Sequence, residues 1–148
     1  MLAICFLLSA GGCAIKLVAD YDSNTLEEIF KVSKEVDRFY GNLLETAEAD
    51  RKYSKYAEQY VNIETDIRSL VMRNKARPLN EESTRISETI LNFWVKYKQN
   101  HKEKDVYSNG MAKLDRQKFV RLFTAAAEAE KIKDEDCNVE KTGKEIGQ

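Results

Sequence analysis

The sequence predicts an all-α protein, an antiparallel bundle of three to four helices. Apolar residues recur at intervals of three and four along most of the chain, and no stretch alternates as a half-buried strand does. The composition agrees: 148 residues hold one Pro and six Gly, and 33% are charged, which favours helices with a charged surface over a loop-rich β fold. That length suits a single domain with one core. No repeat beyond the helical period is evident, so a solenoid is not expected.

The chain opens on an apolar run, Leu2 to Leu8, followed by the small residues Ser9, Ala10, Gly11 and Gly12 and then Cys13. The run is too short to cross a bilayer, which takes about 20 apolar residues, and Lys16 prevents its extension. Small residues before a cysteine suit a signal peptidase. The segment resembles a bacterial lipoprotein signal: Ala10-Gly11-Gly12-Cys13 matches the lipobox, with Ala10 where Leu is commonest. Met1 runs straight into apolar residues, so either its α-amino group supplies the positive charge of this signal or the start codon lies upstream. The resemblance implies cleavage between Gly12 and Cys13 and acylation of Cys13 with diacylglycerol and palmitate. Each buried methylene contributes about 0.8 kcal/mol, so several chains on one residue hold firmly where a single chain is marginal. In such lipoproteins an Asp after the acylated Cys tends to retain the protein in the inner membrane. Ala14 stands there, which implies the inner leaflet of the outer membrane, facing the periplasm. The stretch from Cys13 to Asp22, with Thr25, Val36, Asp37 and Phe39 beyond it, is similar to a group of small helical proteobacterial lipoproteins of unassigned function, which supports fold and location and offers no catalytic residues to transfer. The other reading makes Leu2 to Val18 a buried helix of a cytosolic protein, against which Gly11 and Gly12 each cost about 1 kcal/mol.

On the lipoprotein reading, residues 1–12 are the signal peptide, 13–22 the lipidated Cys and a tether, 23–132 the helical domain and 133–148 a disordered polar tail. A ten-residue tether reaches at most about 30 Å, unless Ile15, Leu17 and Val18 dock on the domain. Helix one starts where Thr25 and Glu28 have capping-box spacing, carries a stripe of Ile29, Val32, Val36, Phe39 or Tyr40 and Leu43, and closes near Thr46. Asp50 is the candidate N-cap of helix two, whose stripe runs from Tyr53 to Val71, although one continuous helix is an alternative. Helix two ends at Arg77-Pro78, where proline disfavours helical backbone before it. Asn80 caps helix three, with Ile86, Ile90, Phe93 or Trp94 and Tyr97 as its stripe. The polar run Lys98 to Asp105 ends that helix, and the turn signal Tyr107-Ser108-Asn109-Gly110 leads into helix four, from Met111 to Ile132. Beyond Lys133 apolar residues are too few to offset ordering entropy.

Little in the chain points to chemistry. The formal charge is −1 with both signs interleaved, unlike the basic excess of a nucleic-acid binder. Cys5, Cys13 and Cys137 have no metal-ligand or CxxC spacing, and on the lipoprotein reading only Cys137 keeps a thiol, so no internal disulfide forms. His101, the one histidine, excludes a two-histidine metal site and reads as an exposed polar residue near the end of helix three. No GxSxG elbow is present. Asp134, Asp136, Asn138, Glu140, Thr142 and Glu145 fall at calcium-loop spacing, but Val139 stands where the loop needs Gly. We therefore expect no metal, no cofactor and no enzyme activity. Arg68, Arg73, Lys75 and Arg77 gather at the end of helix two, where they complement its negative end or contact anionic lipid headgroups. Tyr53, Tyr56 and Tyr60 share a helical face and read as core packing with hydroxyls at the rim; Phe93 and Trp94 read likewise.

The function expected is a lipid-anchored cell-envelope protein with a periplasm-facing bundle, in an interaction or structural role with an envelope protein partner. A soluble cytosolic binding module and an envelope protein that binds a lipid or hydrophobic ligand are the alternatives.

Overall fold

The structure, a computed structural model, describes residues 18–145, with side chains as far as residue 134. The signal peptide and Cys13 lie outside the described residues, as do the side chains of Cys137 and of the calcium-like pattern from Asp136 onward.

Four helices make up the fold of the described residues, with no strand: α1 (Ser23–Glu45), α2 (Ala57–Lys75), α3 (Glu81–Lys104) and α4 (Asn109–Glu145). The principal contacts form a ring, with α1 against α4 and α2, and α3 against α2 and α4. Short connections between successive helices make this an up-down-up-down four-helix bundle. Among the described residues no helix is long and apolar enough to cross a membrane.

The stripes of the first three helices supply most of the core. The helix-four stripe of Met111, Leu114, Phe119, Leu122, Phe123, Ala126 and Ile132 is core only in its middle, with Met111, Leu114 and Ile132 exposed. Ile29, Val32, Val36, Phe39, Tyr40 and Leu43 of α1 are buried against Tyr60, Ile63, Ile67 and Leu70 of α2, Ile90 and Trp94 of α3, and Phe119 and Phe123 of α4. Aromatic rings fill the centre: Phe39 meets Trp94 edge-on at 5.1 Å between centroids, and Trp94 meets Phe119 at 5.7 Å. Such contacts add about 0.5–1.5 kcal/mol per pair beyond area burial. The Trp94 indole donates to the Tyr60 carbonyl at 3.1 Å, so its buried N–H is satisfied.

The helix ends differ from expectation for local reasons. Asp22, rather than Thr25, caps α1: its carboxylate accepts from the Asn24 N–H at 3.1 Å and from the Thr25 hydroxyl at 2.6 Å. Asp50 does not start helix two. It ends a 3-10 turn, Glu48–Asp50, a second turn follows at Tyr53–Lys55, and α2 begins only at Ala57. Arg51 explains the break, because its guanidinium turns back under α1 and donates to the carbonyls of Thr46 at 2.8 Å and Leu44 at 3.4 Å, which α1 leaves unpaired at its end.

Two boundaries move outward. The tether is partly structured: Ala19 is buried, its N–H donates to the Leu79 carbonyl at 2.9 Å, and the Asp22 N–H donates to Glu130. Val18 does not dock; it is exposed. At the other terminus α4 does not stop at Ile132 but runs to Glu145, and Lys133 is buried. An apolar count misses Lys133 because it is buried against the polar groups of Glu130, Asn80 and Ser83.

Candidate functional site

Each end of the bundle holds a buried polar cluster, and both are built on α4. At one end Glu130, whose side chain is fully buried, meets Arg77 in a two-pronged contact, Nη2 to Oε1 at 2.9 Å and Nη1 to Oε2 at 3.0 Å. Lys133 donates to Glu130 at 2.6 Å, to the Asn80 side-chain oxygen at 2.6 Å and to the Ser83 hydroxyl at 2.9 Å. Burial pushes the Glu130 carboxyl up, but Arg77, Lys133 and the Asp22 N–H more than offset this and hold it below the ordinary range. Asn80, at the N-cap position of α3, makes no side-chain cap; its amide donates to the carbonyl and side-chain oxygens of Asn74 instead.

At the opposite end Asp115 is 4% exposed and accepts from the Tyr107 hydroxyl at 2.6 Å. The Tyr97 hydroxyl also pulls its pKa down, and Lys118 donates to that hydroxyl at 2.7 Å. Burial pushes the Asp115 carboxyl up, and the tyrosines with the more distant Lys118 and Lys96 offset this only in part, so it stays above its ordinary value. Arg51, 1% exposed, donates to the Tyr107 carbonyl at 2.9 Å and to the Asn109 side-chain oxygen at 2.6 Å. Tyr107 thus stands between a buried cation on its carbonyl and a buried anion on its hydroxyl.

His101 is part of this end, not an exposed residue: it is 1% exposed. Its Nε2 faces the Arg51 carbonyl at 2.8 Å, an acceptor only, so Nε2 carries the proton and Nδ1 accepts from the Tyr60 hydroxyl at 3.0 Å. Burial lowers its pKa, against the smaller opposing pull of the Arg51 carbonyl and Asp105. The Tyr60 hydroxyl is therefore interior rather than at the rim, and Tyr56 donates to Thr46 at 3.0 Å. The two connections at this end are latched: the Tyr53 N–H donates to Asp105 at 2.8 Å and the Asn109 N–H to Glu48 at 2.6 Å. Asp105 closes α3 at φ 51°, a left-handed conformation an Asp tolerates.

A cleft of about 170 Å³ opens here, between the end of α3 and the start of α4, with Tyr97, His101, Tyr107 and Asp115 among its walls. The four basic residues of helix two lie at the other end, each facing a carboxylate: Arg68 meets Glu64 at 2.7 Å, Arg73 meets Asp22 at 3.7 Å, Lys75 meets Glu88 at 2.7 Å, and Arg77 meets Glu130. Arg77, only 16% exposed, is a structural ion and does not offer itself to a headgroup. The other three cations are themselves exposed, and pairs with an exposed member are weakly held.

Sequence reasoning did not find Asp115, Glu130, Arg51 or Lys133. The one local signal was the spacing of Glu130 and Lys133, one helical turn apart.

The fold and these sites define a four-helix bundle with a polar cluster at each end and a cleft at one. No family model matches the chain. No curated protein matches it, and no solved structure does.

Proposed function

We propose that the protein is a lipid-anchored component of the cell envelope, held by Cys13 in the inner leaflet of the outer membrane, whose bundle faces the periplasm and serves an interaction or structural role with an envelope protein rather than a catalytic one or nucleic-acid binding. The sequence Ala10-Gly11-Gly12-Cys13 motivates this reading. The observation that carries it further is how the chain enters the fold. The four helices flank one another in a ring, and among the described residues the first buried one is Ala19, which joins the fold at the Glu130 end. With Ala19 fixed to Leu79, the stretch from Cys13 to Val18 spans at most about 20 Å. On this reading the Glu130 end lies toward the membrane, and Asp115 lies about 22 Å further out along α4, fifteen residues at about 1.5 Å each.

Metabolic labelling with a palmitate analogue tests the proposal. The expected result is label on the wild-type chain and none on a Cys13→Ser variant, with intact mass showing loss of residues 1–12. Label retained by the variant, or an uncleaved and unmodified mass, overturns it; the latter favours the cytosolic binding module.

A further inference from the structure

The cleft at the Asp115 end has walls of a particular chemistry. Tyr97, His101 and Tyr107 present aromatic rings, Val106 and Met111 are exposed apolar residues at 51% and 48%, and Asp115 is the buried acid. Among the described residues no Lys or Arg comes within 4.0 Å of Asp115, whereas Glu130, equally enclosed, holds two cations. A carboxylate taken out of water with only neutral partners is costly, and the fold leaves that cost standing. The neighbouring positive groups do not remove it. Lys118 is engaged by the Tyr97 hydroxyl and lies 4.3 Å from the Phe93 ring, Lys96 acts on Asp115 only as a charge more than 4.0 Å away, and Lys104 is an exposed residue of the cleft wall.

We propose that this cleft binds a small organic cation, an ammonium group on a short apolar stem, with Asp115 as its counter-ion. The ammonium supplies the missing charge, the tyrosine rings favour a cation over their faces, and the stem covers Val106 and Met111. The size fits: a cavity of about 150 Å³ takes a benzene-sized molecule. The site does not depend on the lipid anchor, so the labelling experiment and this one stand or fall separately.

Calorimetric titration of the full chain with n-butylammonium, n-butanol and n-butyrate is the test. The expected result is binding of n-butylammonium at least about tenfold tighter than n-butanol, no binding of n-butyrate, and amide NMR shifts centred on Tyr97, His101 and Tyr107. Asp115→Asn keeps the shape and removes the charge, and is expected to lose at least about tenfold in affinity with helical content retained. Val106→Trp, at an exposed position, fills the cleft and is expected to abolish binding even if the Asn variant misfolds. Equal affinity for n-butanol and n-butylammonium, no binding of the ammonium at all, or unchanged binding by either folded variant overturns the proposal.

Discussion

Glu130 and Asp115 sit on the same helix, both almost wholly buried, and are treated in opposite ways. At the Glu130 end the ions touch: Arg77 and Lys133 contact the carboxylate directly, and its pKa falls. At the Asp115 end the charges are kept apart by Tyr107, and the carboxyl pKa rises. Direct contact makes a strut, strongly destabilising when one member is lost. Separation through neutral groups leaves an unmet charge beside a cleft, and perturbed groups in clefts are where function gathers.

The largest test of this contrast is Glu130→Ala, which strands Arg77 and Lys133. We expect a loss of about 3–5 kcal/mol in urea denaturation, whereas Asp115→Asn, which removes an unpaired charge, should change stability by about 1 kcal/mol or less. A small effect at Glu130 would erase the distinction.

The pH dependence should differ in sign. Glu130 titrates below its ordinary 4.5 in the folded state, so its contribution is present above that pH and is lost as pH falls through the folded value. Asp115 titrates above its ordinary 3.8, so its contribution is present below 3.8 and is lost as pH rises through the folded value. Relative to the wild type, Glu130→Gln should look progressively less damaging as the medium is acidified below 4.5. Asp115→Asn should look progressively more damaging toward 3.8. Denaturation midpoints across pH 3 to about 7 check both slopes. His101 adds a third: with its pKa lowered from 6.5, stability present at neutral pH declines as pH falls below that value, a decline absent in His101→Gln.

A smaller effect concerns the loop at the Glu130 end. Leu79 has φ 58° and is 43% exposed, so its left-handed backbone costs about 1–2 kcal/mol for little burial in return. Leu79→Gly should leave stability unchanged or raise it by about 1 kcal/mol, after the glycine's entropy is offset, as read by thermal melting. The smallest effects belong to the exposed pairs. Lys75→Ala and Arg68→Ala should each cost about 0.5 kcal/mol or less, in contrast to Arg77→Ala, which opens the strut.

The helices were legible because burial imposes a period on apolar residues, and Ile29, Val32, Val36 and Leu43 need no distant partner to show it. Lipidation at Cys13 lies outside the described residues and stays a reading of the sequence. The polar clusters were not legible. His101 is buried by Arg51 and Tyr60, many residues away, and nothing beside it in the chain announces either. Arg77 stands in a basic group like its neighbours, and only the fold brings Glu130 to it alone. Lys133 looks like tail in the sequence because its burial rests on Glu130, Asn80 and Ser83, which no count of apolar residues registers. Arg51 hid for a related reason: its partners are largely backbone carbonyls, which carry no sequence signature.

The 37-residue α4 outlasts its neighbours and carries both carboxylates, about four turns apart. A single inserted or deleted residue between them rotates one relative to the other by about 100°, so one end must give up its partners. Substitution there trims one contact at a time, while a change of length breaks phase for a whole end of the molecule. The interval from Asp115 to Glu130 is a gauge, and variation in the length of this chain belongs beyond Lys133 or in the connections, not within it.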